Sequence, residues 1–430
     1  MKNFQIIILI VFIIGAIVGI LVFSGTIPLG DKDNEEGSGG TVVLWGTMKS
    51  ADIAFAVEDF NRTNNVYNLQ YVEKRAETFD QDLLEALASG VGPDLFIISN
   101  DLVYKYSNKI LTIPYKSYPI AVFKQNFVGA GEVFLNSLGA MAFPLAVDPM
   151  VMYYSRSMLD SNNIVYPPET WDQLGALAPV LGRKDESRKI LKSAVALGQF
   201  SNVRHAKDIM AMLFMQAGNP IVAERSGSFI SVLDQSTATY NPEAILEAYT
   251  AFANPMKEVY SWNKSLQNSQ DAFSAENLVF YFGYATELRS LVEKNPNQNF
   301  MVAPMPQIPG SQAKLTFGRV TGVAVSSASK NLNSAFLVAS LLSTSNFGGE
   351  FAKAMGAAPA RRELLTATPE DSYQPVFYSS ALIARSWLDP SPIDSNEIFQ
   401  GMVEKVLSNN LNPSQAIREG SSKLNLLLIR

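Results

Sequence analysis

Residues 143–154, FPLAVDPMVMYY, constrain the fold more than any other stretch of this chain. Apolar and aromatic residues flank Asp148-Pro149, the pair that interrupts an otherwise extended segment. Proline lacks a backbone donor and holds the residue before it in an extended conformation. Such a segment suits a strand crossing between two bodies better than the centre of one sheet. Asp148 is the segment's one charged group. It is either a turn residue ahead of a proline or a carboxylate held at a hinge and facing a cleft.

At 430 residues the chain exceeds one ordinary core, and two lobes are the default expectation. A formal net charge of −6, with no basic block to offset it, argues against a general nucleic-acid partner. The absence of cysteine removes disulfides, thiolate catalysis, cysteine metal sites and a lipid-acylated cysteine anchor. Attachment has another candidate. Residues 4–23 carry no charge and are long enough to cross a bilayer at helical rise. That run exceeds the apolar core of a cleavable signal, and the SGTIP that follows is a weak cleavage site. We expect residues 1–30 to form an N-terminal transmembrane anchor, with the lipid bilayer as partner of residues 4–23. Lys2 precedes the run and Asp31, Asp33, Glu35 and Glu36 follow it, which places the remainder on the extracytoplasmic face. Residues 31–40, DKDNEEGSGG, read as a flexible tether.

From residue 41 strand-like and helix-like segments alternate, the pattern of a parallel sheet flanked by helices, hence an α/β fold. Strands are expected at 41–45, 69–72 and 95–98, with helices at 51–63 and 79–88, the second ended by Gly90. Farther on, PPETWD at 167–172 reads as a helix start, with Thr170 as the cap. A strand at 193–197 stops at Gly198, and a helix at 209–216 carries Met210, Met212 and Met215 as core filler. Strands at 278–282, 299–304 and 322–326 precede a mostly helical remainder.

Catalytic signatures are scarce. His205 is the chain's one histidine and reads as a surface residue, which rules out a histidine-rich metal site. No GxSxG elbow presents a serine, and neither GxxxxGK[ST] nor GxGxxG occurs, so no cofactor is expected. A glycosidase acid pair leaves no spacing signature and stays open as an alternative. Binding has more support. Ligands of open α/β sheets sit beyond the carboxyl ends of strands. Here those ends carry Trp45-Gly46-Thr47, Asn100-Asp101, Gln199 to Asn202 and Gly283-Tyr284. Aromatic faces with amide and carboxylate groups are what a sugar asks for: stacking surface and hydrogen bonds to hydroxyls.

Seven segments in order, SGVGPDLFIISND (89–101), FPLAVDPMVMYYSRSMLD (143–160), PPETWDQL (167–174), AFSAENLVFYFGYATEL (272–288), NFMVAPMPQIPG (299–310), GVAVSSASKN (322–331) and MGAAPARREL (355–364), carry a resemblance. The chain resembles the bacterial extracellular solute-binding proteins of family 1, the maltose-binding-protein-like receptors of ABC importers. The resemblance implies a periplasmic-binding-protein-like class II fold with two α/β lobes around a ligand cleft. The first lobe would comprise 41–146 with about 299–345, and the second 147–298 with about 346–430. It implies a monomeric, non-enzymatic receptor that closes on a small-molecule solute, a carbohydrate by preference, and hands it to an ABC permease. In such a site Asp148 and Asp101 accept hydroxyl hydrogen bonds and Gln199 and Asn100 orient the solute. Asn202 lies beside them, and Trp45, Tyr284 and Trp387 supply stacking faces. Arg319 sits in a loop returning to the cleft. Leu102 follows Asp101 where the maltose-type site has an arginine, and Ile98 replaces an aromatic. Those departures point to a solute smaller than, or different from, a long maltodextrin. A sensory or adhesive protein of the same fold is a further alternative.

Overall fold

The computed structural model describes residues 39–429 apart from 188, 238–239, 311–313 and 367–370. The expected anchor at residues 4–23, and the tether up to residue 38, lie outside the described residues. Among the described residues no helix is long and apolar enough to cross a membrane.

The chain begins with β1 (Gly39–Gly46), α1 (Ser50–Thr63), β2 (Tyr67–Glu73), α2 (Phe79–Ser89) and β3 (Leu95–Ser99). β1 pairs in parallel with β2 on one side and β3 on the other. α1 buries Ile53, Ala56 and Phe60, which recur at helical spacing on one stripe. α2 ends where Gly90 takes φ +69°, a left-handed cap that a side chain would strain. These local signals put the elements where the sequence places them.

β4 (Phe143–Ser155) is a single strand with every residue buried, so Pro149 does not interrupt it. After it come α3 (Trp171–Leu181), β5 (Ile190–Val195), α4 (Ala206–Gln216), α5 (Pro242–Ala251) and β6 (Leu278–Tyr284). Then follow β7 (Phe300–Ala303), β8 (Thr316–Val325), α6 (Leu332–Thr344), α7 (Phe347–Met355), β9 (Ala358–Pro359), α8 (Pro392–Leu407) and α9 (Pro413–Leu428). Thr170 caps α3 as expected, accepting from the Gln173 N–H while the Gln173 side chain accepts from the Thr170 N–H. Met210, Met212 and Met215 are buried in the core.

Pro149 changes the partners of β4. Residues 143–149 pair antiparallel with β8, whereas Met150–Tyr154 pair antiparallel with β6. β7 pairs with Met152–Ser155, and β9 pairs with Ala146 and Val147. The strand order is β2-β1-β3-β8-β4-β6-β5. The sheet is therefore not parallel throughout. Parallel pairs β2-β1, β1-β3 and β6-β5 flank an antiparallel middle, because β4 leaves the first group of strands and β8 runs back beside it. The two residues Arg183-Lys184 add an antiparallel pair outside β5. One core joins β1, α1, α6 and α7 through Val42, Phe60, Val338 and Phe351. The other collects α4, β6, α8 and α9, with Phe214, Phe280, Phe399 and Leu424.

Candidate functional site

A cavity of about 550 Å³ opens where the strand turns of both groups meet, within the roughly 300–1,000 Å³ of small-ligand sites. Asn100 and Asp101 enter it just past β3. Phe317 and Arg319 come from β8. Phe200, Ser201, Val203 and His205 supply another wall from the approach to α4, together with Lys207 and Asp208 from its first turn. Trp387, Asp389, Asn396 and Gln400 supply a further one from α8 and the turn before it. Aromatic, amide and charged groups thus line one space.

Four of the nine residues singled out in the sequence line this cavity: Asn100, Asp101, Arg319 and Trp387. Asn100 is fixed by two bonds to β8. Its N–H donates to the Val320 carbonyl at 3.0 Å and its Oδ1 accepts from the Val320 N–H at 3.1 Å. The amide nitrogen is the group it has left to offer. Asp101 is half-buried and accepts from the Ser99 hydroxyl. Trp387 packs against Phe399, ring centres 5.9 Å apart, as part of the wall. Arg319 departs from expectation: it is on β8 opposite Asp148, not in a loop.

Asp148 and Tyr284 stand behind that wall. Tyr284 donates to Asp208 at 2.6 Å, and the Arg319 guanidinium lies 4.1 Å over its ring. Asp148 is buried and accepts from the Thr286 N–H at 3.1 Å and hydroxyl at 2.6 Å. Gln199 is buried beside Phe200, its Oε1 without a hydrogen-bond partner among the described residues. Asn202 and Trp45 are placed elsewhere. Asn202 donates to the carbonyls of Asn263 and Leu266, both at 2.9 Å, and so ties down a loop. Trp45 holds the Lys74 ammonium 3.7 Å from its ring centre. Trp45 is near the end of β1 as the sequence indicates, whereas Asn202 lies seven residues past the end of β5, and both side chains are engaged away from the cavity.

His205 corrects the sequence reading most sharply. Its side chain is 10% exposed, and its Nε2 bonds to Glu287, whose carboxylate also accepts from Gln270 at 2.7 Å, Tyr281 at 2.5 Å and the Tyr284 N–H at 3.2 Å. Its Nδ1 lies 3.5 Å from Arg319 Nη2. A backbone at φ +60° turns it inward at the start of α4. Sequence reasoning also misses Asp208 and Lys207. Asp208 binds Arg319 at 2.6 Å, and Lys207 binds Asp389 at 2.7 Å. Both pairs join residues more than 100 positions apart, so no local pattern reveals them.

The buried acids titrate in opposite directions. Burial would raise Glu287, but His205, Tyr281 and Arg204 overcome it and draw the group down to about 2. Burial dominates at Asp148 and pushes its carboxyl up to about 7, against the Thr286 bonds and the charge of Arg319. The folded chain then keeps a proton that the unfolded chain loses near its ordinary value of 3.8. The contribution is fully present below 3.8 and gone above about 7. Asp148 should thus cost on the order of 4 kcal/mol of stability as the pH rises from 3.8 to about 7. Asp148→Asn keeps an acceptor for Thr286 without the titration. Urea midpoints should fall from about pH 4 to 7 in the parent and much less in Asp148→Asn.

The sequence matches the model of the family described as bacterial extracellular solute-binding protein over residues 45–346. The fold is similar to that of a cyclo/maltodextrin-binding protein complexed with maltotetraose, with a TM-score of 0.72 and 16% identity over 91% of this chain and 98% of that one. It is similar to the sugar-binding protein MalE of Xanthomonas citri, with a TM-score of 0.71 and 17% identity over 90% and 97%. An ABC substrate-binding protein from Listeria monocytogenes in complex with cycloalternan has a TM-score of 0.62 and 16% identity over 90% and 98%. At these identities the likeness is one of fold, an α/β substrate-binding architecture with a strongly curved sheet. The family match covers most of the chain. The chain belongs to the bacterial extracellular solute-binding protein family.

Proposed function

We propose that this protein is the extracytoplasmic receptor of an ABC importer for a carbohydrate, and that it works by closing two lobes on the solute. The observation that carries this reading is the cavity itself, whose walls come from both groups of strands on either side of Pro149. The first lobe holds β1 to β3 with α6, and the second β5 and β6 with α8 and α9. Two pieces change sides from the sequence expectation. α7 and β9 (347–359) join the first lobe, because α7 packs in the core of α1 and β9 pairs with Ala146 and Val147. β7 (300–303) joins the second, because it pairs with Met152–Ser155. β4 and β8 cross between them. Asp101 accepts hydroxyl hydrogen bonds, Asn100 and Arg319 donate, and Trp387 offers an aromatic edge. Asp148 and Tyr284 act from behind by supporting Arg319. Solute bridging both walls favours the closed arrangement, which a permease in the membrane then reads. The charge-free run at residues 4–23 would hold the receptor at the outer face of the membrane. Sugars bound by the similar structures support the choice of carbohydrate, and the family description supports the extracytoplasmic site.

A thermal-shift screen of the purified chain against neutral mono- and oligosaccharides tests this. At least one should raise the melting temperature in a concentration-dependent way. Asp101→Ala should weaken that sugar by about ten- to a hundredfold, the worth of a hydrogen bond to a charged group. Its half-buried position should leave unliganded stability nearly unchanged. Turnover of the sugar, or an Asp101→Ala affinity equal to the parent's, contradicts the reading.

A further inference from the structure

Lys207 and Arg319, which line the cavity, are both committed to carboxylates. Lys207 Nζ lies 2.7 Å from Asp389 Oδ2, 3.1 Å from Ser395 Oγ and 3.3 Å from the Pro392 carbonyl. An ammonium has three donors, and these acceptors use all three. Asp389 is equally occupied: besides Lys207 it accepts from Ser395 at 2.8 Å and the Ser391 N–H at 3.1 Å. Lys207 therefore brings no uncommitted donor to the cavity.

Arg319 is held differently. Its Nη2 donates to Asp208 at 2.6 Å and lies beside His205 Nδ1, and its plane rests on Tyr284. Asp208 is only 5% exposed, and burial alone would raise its carboxyl. Arg319 and Lys207 outweigh burial and keep it below its ordinary value, so it stays ionised. Arg319 thus keeps N–H groups for hydrogen bonds while its charge is cancelled from within. Setting Arg319 and Lys207 against Asp208 and Asp389 leaves Asp101 as the lining carboxylate with no ion-pair partner among the described residues.

We propose that Asp208 and Asp389 determine the charge class of the solute: by neutralising Arg319 and Lys207 inside the protein they make the cavity accept an uncharged polyhydroxylated solute and reject one bearing a carboxylate, sulfate or phosphate. An anion would meet Asp101 with no free cation to offset the repulsion or its own desolvation. A neutral sugar loses nothing by the arrangement, because Arg319 still donates and Asp101 still accepts. The choice of sugar probes rests on the carbohydrate reading above; the anion measurements do not.

Calorimetric titration of the full chain at about pH 6, where Asp148 is largely protonated, tests the proposal with maltotriose, mannotriose, trigalacturonate and inorganic sulfate. The parent should bind a neutral trisaccharide at least about a hundredfold more tightly than trigalacturonate, and should show no saturable sulfate binding. Asp208→Asn should release the charge of Arg319 and raise affinity for trigalacturonate and sulfate by about tenfold or more. Adding Arg319→Met should abolish that gain. Should Asp208→Asn fail to fold, Asp389→Asn takes its place through Lys207, and the parent's own discrimination still decides. Saturable sulfate or trigalacturonate binding by the parent overturns the proposal. So does a folded Asp208→Asn that gains no anion affinity. If no neutral sugar of the thermal-shift screen binds the parent but Asp208→Asn gains sulfate, the carbohydrate reading fails while the charge assignment stands. If the parent binds both kinds of trisaccharide alike, the reverse holds.

Discussion

Glu287→Ala should destabilise the unliganded protein by about 3–5 kcal/mol, the range found when one partner is removed from a buried charged pair. The carboxylate is 8% exposed and accepts from His205, Gln270, Tyr281 and the Tyr284 N–H, with Arg204 a further 3.4 Å away. Truncation removes that acceptor from several buried donors at once. Each orphaned donor costs about 1–3 kcal/mol before the neighbours relax. The loss should not stay local. His205 lies between Glu287 and Arg319, and Tyr284 between Glu287 and Asp208, so the shared wall of the cavity should loosen. Glu287→Gln keeps the shape and one acceptor, and should cost roughly half as much. Urea unfolding with an unchanged m-value measures both. Glu287→Ala within about 1 kcal/mol of the parent would show that the cluster is not the support described.

Gly198→Ala should cost about 2–5 kcal/mol, combining the left-handed backbone penalty with overpacking. At φ +87° an added β-carbon would sit 2.5 Å from the backbone nitrogen of Ala253 and 3.0 Å from the Tyr249 carbonyl. Those are main-chain atoms at the end of α5 and just beyond it, which cannot swing aside as a side chain can. Gly198 also starts the turn that delivers Phe200, Ser201 and Val203 to the cavity. Sugar affinity should therefore fall together with stability, unlike in Asp101→Ala, where affinity alone falls. Chemical denaturation and calorimetric titration of the same preparation separate the two behaviours. A stable Gly198→Ala protein would mean that the α5 turn yields easily.

Gly198 also shows how much of the fold is legible in the sequence. A glycine closing an apolar run, a threonine three residues before a glutamine, and a glycine after an amphipathic helix are local devices, and the chain obeys each of them at Gly198, Thr170 and Gly90. The exchange of partners along β4 is legible in part: its partners do change at Pro149, but it is an inner strand of one sheet, the placement a proline argues against. Which partners it exchanges is not legible, since β8 lies far along the chain and nothing in its own composition fixes its direction. For the same reason the parallel pattern does not hold across the middle of the sheet.

The site divides along the same line. Asn100 and Asp101 follow β3 directly and fall into the cavity. Trp45 follows the same rule of strand ends, Asn202 lies in the turn well past β5, and both are claimed by neighbours, Lys74 and the 263–266 loop. In the sequence His205 is a lone histidine; its meaning lies in Glu287, 82 residues away. Lys207 and Asp389 join across 182 residues. Strand ends state where a side chain begins, and only tertiary packing decides where it is used.

In the proposed mechanism occupancy draws two lobes together about β4 and β8. The absence of cysteine makes it directly measurable, because two introduced thiols are the only ones to label. Glu77, with a side chain 75% exposed beyond β2, and Lys264, 60% exposed in the loop held by Asn202, lie in the two proposed lobes. With spin labels on Glu77→Cys and Lys264→Cys, the distance distribution should shift and narrow when a sugar that raises the melting temperature is added to saturation, and should revert on its removal. The same distribution with and without saturating sugar would contradict closure and leave a rigid binding site in its place.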